Sequence, residues 1–347
     1  MRYLNVLLIF VPLAIVGSFL GWGELLLFWT AAIGVIPLAG WMGQGTEELA
    51  ELVGPRVGGL LNATLGNAAE LIITIVAIRE GLVELVKASI TGSILGNILL
   101  VMGLSLLLGG IRHGRQQFDR SHASVNATTM ILSIVALAIP SLFFFSSKET
   151  TGPVEALSLG AAAAMILIYV LGVLFSLNHR GRETERFPSA GHNRGAFYRA
   201  IGLLAVATLF IAWLSEILVG AVEHTVATMG LSEFFLGIII IPLVGNVAEH
   251  LVGVQTALKN QMELSLSISI GSSLQVALFV APVLVFISLL VGHPLTLVFN
   301  QFELIALFGA SLIAALVALD GESNWLEDAQ LLVVYAIIGM AFFYLPV

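Results

Sequence analysis

The sequence predicts an all-α polytopic membrane protein, and two observations support that fold class. Of the 347 residues, 58% are hydrophobic and only 10% are charged, whereas soluble domains carry about 25% charged residues. So few charges could not cover a soluble core of this size. Eleven apolar runs also approach the roughly 20 residues that a helix needs to cross a bilayer. The sequence contains no cysteine, which excludes disulfide bonds and thiolate chemistry. The net charge of −8 argues against nucleic acid as a partner.

The eleven predicted transmembrane helices follow one another with short connections. The first run is too long for a signal-peptide core and lacks a small-residue cleavage site, so we expect a retained helix. Internal Gly and Pro residues predict that several helices are bent or broken. The predicted spans are 3–22, 24–43, 57–79, 83–110, 122–145, 153–177, 198–222, 232–258, 263–291, 301–319 and 326–346.

The basic residues predict which side of the membrane each connection faces. With the N-terminus inside, the inner connections hold eleven of the 14 Lys and Arg residues, and the outer ones hold Arg79, Lys87 and Lys148. This partition follows the positive-inside rule. We therefore expect a cytoplasmic N-terminus and an external C-terminus. The compact chain without a long targeting extension favours a bacterial plasma membrane.

Two polar motifs interrupt the apolar sequence at a fixed separation. Residues 66–70 read Gly-Asn-Ala-Ala-Glu and residues 245–249 read Gly-Asn-Val-Ala-Glu, an offset of 249 − 70 = 179 positions. The same offset carries the Gly-Ser pair at 92–93 to the Gly-Ser pair at 271–272. Two separate patches that share one ungapped offset indicate an internal repeat.

The repeat predicts how the chain is divided. We expect an extra N-terminal helix over 1–23, a first five-helix repeat over 24–177, a cytoplasmic linker over 178–197 and a second five-helix repeat over 198–347. Because five is odd, the second repeat enters the membrane in the opposite sense. Inverted repeats are typical of secondary transporters, whose sites lie near the bilayer midplane.

Each repeat carries one glutamate about halfway along a predicted span, Glu70 in the first and Glu249 in the second. An acidic residue at the centre of a membrane helix costs roughly 2.5–3.5 kcal/mol on the translocon scale. A single such Glu could simply turn into the bundle and be satisfied by hydrogen bonds. A pair at matched positions in matched motifs favours an ion site instead.

The residues around the glutamates suggest a hard cation as ligand. The spacing of Gly66, Asn67 and Glu70 places them on one helix face, and Gly together with Pro242 could free backbone carbonyls. Carboxylate, amide and carbonyl oxygens suit Ca²⁺, which takes about 6–8 oxygen ligands. Cys/His clusters typical of zinc are missing from the sequence. The candidate metal ligands are Glu70, Glu249, Gly66, Gly245, Asn67 and Asn246.

The same two carboxylates can also carry protons. One Ca²⁺ or protons can neutralise both charges, so the two ions should compete for the site. If the site were empty, both carboxylates would stay ionised while the carrier passed through a closed apolar state, which is costly. The carrier should therefore change between its two access states only when an ion is bound. Ca²⁺ is then the transported substrate and H⁺ the counter-ion, with no resident cofactor. Nothing requires a homo-oligomer, though one is possible.

A second set of polar residues lies on the following helices and could orient the glutamates or relay protons. The alternative for the serines is small-residue helix packing, since Gly92-x-x-x-Gly96 is an association pattern. His250, directly after Glu249, could shuttle protons or only hydrogen-bond within the bundle. The set comprises Ser93, Asn97, Ser272, Ser273 and Gln275.

The paired motifs, with Glu249-His250 in the second and a Gly-Ser helix after each, resemble the cation/proton exchanger branch of the calcium/cation antiporter superfamily. The resemblance covers helices 2–11. It implies an eleven-helix carrier that moves Ca²⁺ against protons. It also implies that Glu70 and Glu249 bind the ion and accept protons, assisted by carbonyls at Gly66 and Gly245. Asn67 and Asn246 replace hydroxyls typical of the sodium-coupled branch, and Ala precedes each Glu, which favours protons over sodium.

Other function classes fit the sequence less well. An intramembrane hydrolase is disfavoured because the chain lacks His-Glu-x-x-His and Gly-x-Ser-x-Gly motifs, so we do not expect an enzyme. A cation channel rarely needs matched titratable acids on antiparallel repeats. A sodium-driven or broader divalent-cation exchanger remains the principal alternative. The expected mechanism is alternating access around the two glutamates.

Overall fold

The computed structural model describes residues 4–147, 151–183, 194–323 and 325–345, and this part of the chain is almost entirely helical. In the first half, a 3₁₀ turn at Leu4–Ile9 precedes α1 (Phe10–Phe19), α2 (Glu24–Val53), α3 (Pro55–Leu65), α4 (Ala68–Arg79), α5 (Val83–Leu95), α6 (Met102–His113), α7 (Arg120–Ser146) and α8 (Thr151–Glu183). In the second half follow α9 (Arg194–Gly220), α10 (Val222–Met229), α11 (Glu233–Phe235), α12 (Ile241–Leu258), α13 (Met262–Gln275), α14 (Ala281–Val291), α15 (Gln301–Asp320) and α16 (Trp325–Tyr344).

Within the described ranges, nine helices are long and apolar enough to cross a membrane. The prediction of eleven spans differs from this number at two places. The first predicted span forms a shorter apolar helix, Leu4–Phe19. The third predicted span, 57–79, is divided into α3 and α4. The multi-pass all-helical fold is as predicted, and the exact count of eleven stays a prediction.

The break between α3 and α4 falls on Gly66 and Asn67. The Gly66 N–H donates to the Asn62 carbonyl at 3.0 Å, and the next regular bond runs from the Leu71 N–H to the Asn67 carbonyl at 2.9 Å. Asn67 has φ −100° and ψ 23°, which departs from helical geometry. Among the described backbone hydrogen bonds outside the helices, none is accepted by the Gly66 carbonyl. This group is therefore free to bind another donor or an ion.

Three further helices contain a wider, π-helical turn. These turns connect α5 to α6 at Gly96–Val101, α11 to α12 at Leu236–Ile240, and α13 to α14 at Val276–Val280. A π-turn shifts the hydrogen-bond ladder by one residue and is frequent at functional sites. Each π-turn lies within one long predicted span, so the spans bend without being interrupted.

Close packing along α2 depends on two glycines. A side chain at Gly34 would lie 3.0 Å from Leu214 of α9, and one at Gly45 would lie 2.9 Å from Leu204. Small residues at such contacts let helices approach closely. Helix α2 also runs ten residues beyond the predicted end at 43. On this extension Glu48 pairs with Arg199, with 3.0 Å between the charged atoms.

The connections gather at two opposite ends of the bundle. At one end, a short antiparallel pairing joins residues 116–117 to 322–323, and His113 Nε2 lies 2.8 Å from the Leu258 carbonyl. At the other end, Arg79 pairs with Glu216 at 3.0 Å. These groupings agree with the predicted inner and outer connections. Which end faces the cytoplasm stays a prediction.

A segment without regular secondary structure, 292–300, joins α14 to α15 at the second end, and alternate side chains from Leu295 onward are buried. Leu297 and Phe299 are 0% and 1% exposed, and their N–H groups donate to hydroxyls of Ser158 and Ser141 at 3.1 and 2.9 Å. Irregular backbone at membrane depth requires such partners. Lys87, counted among the outer connections, lies in α5 instead, and its Nζ donates to the Val298 carbonyl at 3.0 Å.

The predicted linker over 178–197 is shorter than expected. Helix α8 continues to Glu183 and α9 begins at Arg194. Basic and polar residues are compatible with helix once it extends past the membrane. The rest of the predicted linker, residues 184–193, lies outside the described residues.

Candidate ion-binding site

The two glutamate-bearing helices, α4 and α12, cross where their motifs meet. A Cβ at Gly66 would lie 3.7 Å from Oε1 of Glu249, and a Cβ at Gly245 would lie 3.8 Å from Cα and Cβ of Glu70. Each motif glycine therefore faces the glutamate of the other motif. The absence of a side chain at both positions lets the helices approach closely. The structure thus brings the two carboxylates together inside the bundle.

Glu70 lies in the first turn of α4 and is 1% exposed. Its Oε1 accepts a hydrogen bond from the Ser93 hydroxyl of α5. The Ser93 oxygen in turn accepts from Nδ2 of Asn246 at 3.3 Å. Oε2 of Glu70 has no hydrogen-bond partner among the described residues. One carboxylate oxygen is therefore fixed, and the other is available to a ligand.

Glu249 is partly buried and lies in the middle of α12. The Ser272 hydroxyl of α13 donates to its Oε2 at 2.7 Å. The Ser272 oxygen accepts from Nδ2 of Asn97 at 3.1 Å and lies 3.2 Å from Oδ1 of Asn67. This hydroxyl thus connects the second glutamate to the break that follows α3.

Equivalent contacts surround both glutamates. The offset of 179 residues carries Glu70–Ser93 to Glu249–Ser272, and it carries Asn67 to Asn246. In each case the serine comes from the same half as its glutamate, and the asparagine comes from the other half. The two halves are therefore linked to each other through their asparagines.

The surroundings of the two glutamates also differ. Asn67 Nδ2 donates to Oε1 of Gln275 at 2.7 Å, and Asn97 binds Ser272. The counterparts of Gln275 and Asn97 at the offset of 179 are Gly96 and Val276. The Glu249 side therefore has two more amide groups than the Glu70 side, which makes it the more polar of the two.

Two predicted site residues stand outside the hydrogen-bonded network that surrounds the glutamates. Ser273 bonds backbone, with its Oγ 3.1 Å from the Ser269 carbonyl and 3.4 Å from the Ile94 carbonyl. His250 is partly buried, and its Nε2 has no hydrogen-bond partner within the described part of the chain. The contacts of Ser273 therefore agree with the alternative role in helix packing. The role of His250 as a proton carrier stays a prediction.

The backbones of the two motifs differ, although carbonyls near both glycines were expected to be freed. Gly66 and Asn67 lie in a break, so they do not share a helix face with Glu70. Gly245 and Asn246 lie in an uninterrupted stretch of α12, because the irregular turn is placed earlier, at Leu236–Ile240. Only the first motif therefore offers a carbonyl at its glycine that the helix does not use.

The site combines oxygen atoms of four chemical kinds. Carboxylates come from Glu70 and Glu249, a carbonyl from Gly66, and hydroxyl and amide oxygens from the surrounding side chains. Among the described residues, no three Asp, Glu, His or Cys side chains form a cluster. Two negative charges among neutral oxygen ligands match a divalent hard cation or protons.

A third buried glutamate was not singled out in the sequence. Glu303 of α15 is 2% exposed; its Oε1 accepts from Thr91 at 2.7 Å and its Oε2 accepts from the Asn300 N–H at 2.8 Å. Asn300 returns the contact by accepting from the Glu303 N–H at 2.9 Å. This is a capping box, and Asn-x-x-Glu before an apolar run could have predicted it. Glu303 thus fixes the start of α15 against α5.

Comparison with known proteins places the chain among cation exchangers. The sequence model of the family described as "Sodium/calcium exchanger protein" matches residues 23–178 and 199–344. A Ca(2+)/H(+) antiporter of Aphanothece halophytica is 43% identical over 360 residues, covering 98% of this chain and 96% of the relative. The Ca(2+)/H(+) antiporter ChaA of Bacillus subtilis (strain 168) is 41% identical over 346 residues, with 96% and 97% covered.

Solved structures agree with these sequence relatives. The structure of native YfkE matches with a TM-score of 0.87 at 40% identity, covering 99% of this chain and 100% of that one. The H⁺/Ca²⁺ exchanger CAX shares the fold, with a TM-score of 0.76 at 15% identity. This chain belongs to the sodium/calcium exchanger family, in which it groups with the cation/proton exchangers.

Proposed function

We propose that this protein is a secondary active transporter that exchanges Ca²⁺ for H⁺ across a membrane. The observation that carries the proposal is the meeting of Glu70 and Glu249 in one site, each held through one oxygen by a serine. Relatives that are 43% and 41% identical over almost the whole chain are Ca²⁺/H⁺ antiporters, which supports the choice of ions.

The site geometry suggests how the two ions compete. Ca²⁺ binds the oxygens that the serines leave available, Oε2 of Glu70 and Oε1 of Glu249, together with the carbonyl of Gly66. Asn246 donates to Ser93 and Asn97 donates to Ser272, and these amides so orient both carboxylates. Protons occupy the same carboxylate oxygens, so a bound proton and a bound Ca²⁺ exclude each other.

Competition at one site is what makes the exchange obligatory. With neither ion bound, two carboxylates would remain ionised and desolvated during the transition between states, which is costly. With Ca²⁺ or protons bound, the net charge is removed and the transition is accessible. Alternating access then exposes the loaded site to one side at a time.

The arrangement of the chain in the membrane is part of the proposal. We infer eleven spans, with residues 1–23 as an extra helix and residues 24–177 and 198–347 as inverted repeats. The family model matches one segment in each proposed repeat, which supports this division. The distribution of Lys and Arg supports a cytoplasmic N-terminus, and the bacterial relatives support a plasma-membrane location.

The test is ⁴⁵Ca²⁺ uptake into proteoliposomes under an imposed pH step. The wild type should accumulate Ca²⁺, and Glu70→Gln and Glu249→Gln should each abolish uptake. Glu216→Gln is the matched control, because this carboxylate is 54% exposed and pairs with Arg79 away from the site. Uptake retained by either site variant would reject the assignment of the glutamates.

The same preparation separates the alternative functions. A Na⁺ gradient that drives uptake as well as the pH step does would indicate a sodium-driven or broader exchanger. Uptake that follows only the Ca²⁺ gradient, and never runs against it, would indicate a channel. Accumulation driven by the pH step alone supports Ca²⁺/H⁺ exchange.

A further inference from the structure

A cavity of about 500 Å³ lies where α5, α7 and α15 meet the segment 292–300. Helix α7 ends at Ser146, α15 begins at Gln301 and α16 ends at Tyr344 beside it. Transmembrane helices end where the hydrocarbon core meets the lipid headgroups. The cavity therefore lies at headgroup depth, at the end of the molecule that the basic residues assign to the outside.

Phenylalanine rings form the apolar side of the cavity. Phe144, Phe145 and Phe302 line it and are between 42% and 51% exposed, so their rings face outward rather than into the bundle. Phe144 and Phe145 pack edge to face, with 5.7 Å between ring centroids. Exposed apolar patches beside polar groups are typical of membrane-interaction sites. We call these three residues the phenylalanine wall.

An ion pair forms the polar side of the cavity. Lys87 is 9% exposed, and its Nζ lies 2.6 Å from Oε1 of Glu84 and donates to the Val298 carbonyl at 3.0 Å. An ammonium group has three donors, so one remains without a partner among the described residues. The Glu84 side chain is 70% exposed. The cavity thus presents a buried positive group next to an accessible negative one.

The backbone beside this ion pair is fixed. Asn300 and Gln301 line the cavity, and the capping box of Asn300 with Glu303 holds them through hydrogen bonds of 2.8 and 2.9 Å. Thr91, one turn after Lys87 on α5, binds the same glutamate. The first turn of α15 also favours an anion next to Lys87. A preformed site of this kind needs little rearrangement to bind a ligand.

The charges distinguish between the lipids that reach this depth. A phosphate matches the free donor of Lys87, and a primary ammonium can donate hydrogen bonds to Glu84. A glycerol headgroup carries the phosphate but leaves Glu84 without a cation. A choline headgroup carries the cation but has no N–H to donate. The ethanolamine headgroup supplies both groups.

We propose that this cavity binds phosphatidylethanolamine from the adjacent leaflet of the membrane. The phosphate accepts from Lys87, the ammonium donates to Glu84, and an acyl chain lies along the phenylalanine wall. The cavity is lined by neither Glu70 nor Glu249. The inference therefore goes beyond the proposed exchange of ions and does not depend on it.

The test is lipid binding to the purified, delipidated full-length protein, followed by native mass spectrometry. Phosphatidylethanolamine, phosphatidylcholine and phosphatidylglycerol with identical acyl chains are titrated separately. The wild type should bind phosphatidylethanolamine at least about tenfold more tightly than either other lipid, a ratio that corresponds to about 1.4 kcal/mol. Equal dissociation constants for the three lipids would overturn the proposal.

Charge reversal at Glu84 shows whether this cavity is the site. Glu84→Gln should remove the preference, and Glu84→Lys should reverse it, so that phosphatidylglycerol binds more tightly than phosphatidylethanolamine. Glu216→Lys is the matched control, because Glu216 is an exposed carboxylate that pairs with Arg79 at the same end of the molecule. An unchanged preference in Glu84→Lys, or the same reversal in Glu216→Lys, would refute the assignment.

Lys87→Met tests the phosphate contact and should weaken binding of phosphatidylethanolamine about tenfold. Because Lys87 is buried, this variant is used only if its melting temperature shows that it is folded. The exposed Glu84 variants decide the question if it is not.

Free phosphoethanolamine separates a lipid from a soluble ligand. It carries the same two charges without acyl chains, so it should not displace the lipid at equal concentration. Displacement would show that the phenylalanine wall contributes nothing and would overturn the assignment to a lipid. A failure of pH-driven ⁴⁵Ca²⁺ uptake would reject the proposed function and leave the lipid result unaffected.

Discussion

Substitution of the two motif glycines by alanine should give unequal effects, although the sequence treats them as equivalent. A Cβ at Gly66 would lie 2.8 Å from the Asn62 carbonyl and 3.1 Å from Oε1 of Gln275. A Cβ at Gly245 would have only ordinary contacts, at 3.8 Å from Glu70. The first position is too tight for a methyl group, and the second has room for one.

The magnitude follows from what Gly66→Ala displaces. The Asn62 carbonyl and the Gln275 carboxamide must both shift, which weakens the 2.7 Å hydrogen bond that Gln275 accepts from Asn67. Losing one hydrogen bond costs about 0.5–1.5 kcal/mol, and overpacking costs about 1–3 kcal/mol. A loss of about 1.4 kcal/mol in ion binding raises the half-saturating Ca²⁺ concentration about tenfold. For Gly245→Ala we expect less than about a twofold change, because no group is displaced.

The assay is ⁴⁵Ca²⁺ uptake under a fixed pH step at graded Ca²⁺ concentrations, normalised to the amount of reconstituted protein. The thermal stability of each purified variant is measured alongside, so that unfolding is not mistaken for weak binding. The double variant Gly66→Ala/Gln275→Ala should lose less than the sum of the single changes, since the displaced group is gone. Equal effects at the two glycines, or a larger effect at Gly245, would refute the reasoning.

Two further predictions concern neighbouring hydroxyls. Ser272→Ala should raise the half-saturating Ca²⁺ concentration about tenfold in the same uptake assay, because hydrogen bonds to charged groups contribute about 1.5–3 kcal/mol. The control Ser273→Ala loses only contacts with backbone carbonyls and should change this concentration little. Similar values for the two variants would contradict the geometry. Thr91→Val should lower the melting temperature of the purified protein, since it removes the 2.7 Å hydrogen bond to buried Glu303 at a cost of about 1–3 kcal/mol. Thr91→Ser keeps the hydroxyl and should restore the melting temperature. A melting temperature that the valine leaves unchanged would show that this contact does not hold α15 to α5.

The sequence was most informative where two observations shared one offset. The paired motifs located both glutamates and predicted the serines that bind them, because matching polar patches in apolar sequence are rare enough to stand out. It could not place the backbone breaks. Both motifs contain Gly-Asn, yet the helix breaks at Gly66 and continues through Gly245. The tertiary surroundings of the two glycines also differ, since Gly66 lies against Gln275 as well as Glu249, whereas Gly245 lies against Glu70 alone.

Buried polar residues outside the motifs were harder to interpret. Lys87 lies near a predicted helix end, where a surface position is the usual expectation, but it contacts Glu84 at 2.6 Å and a buried carbonyl. The partner carbonyl belongs to Val298, more than two hundred residues away. Neither periodicity nor composition reports such long-range contacts.

The difference in sequence between the two ends of the molecule has a mechanistic consequence. If the two halves had identical sequences, the state open to one side of the membrane and the state open to the other would be related by symmetry and would have equal free energy. Substitutions that touch the glutamates would alter ion binding in both states, whereas substitutions near the ends alter one state alone. A ligand that binds both states equally shifts no population, so the resting preference must come from residues away from the ion. The offset of 179 residues relates Ser265, Ser269 and Ser105 to Val86, Ile90 and Leu284, so the two halves differ in chemistry at positions that do not contact the glutamates.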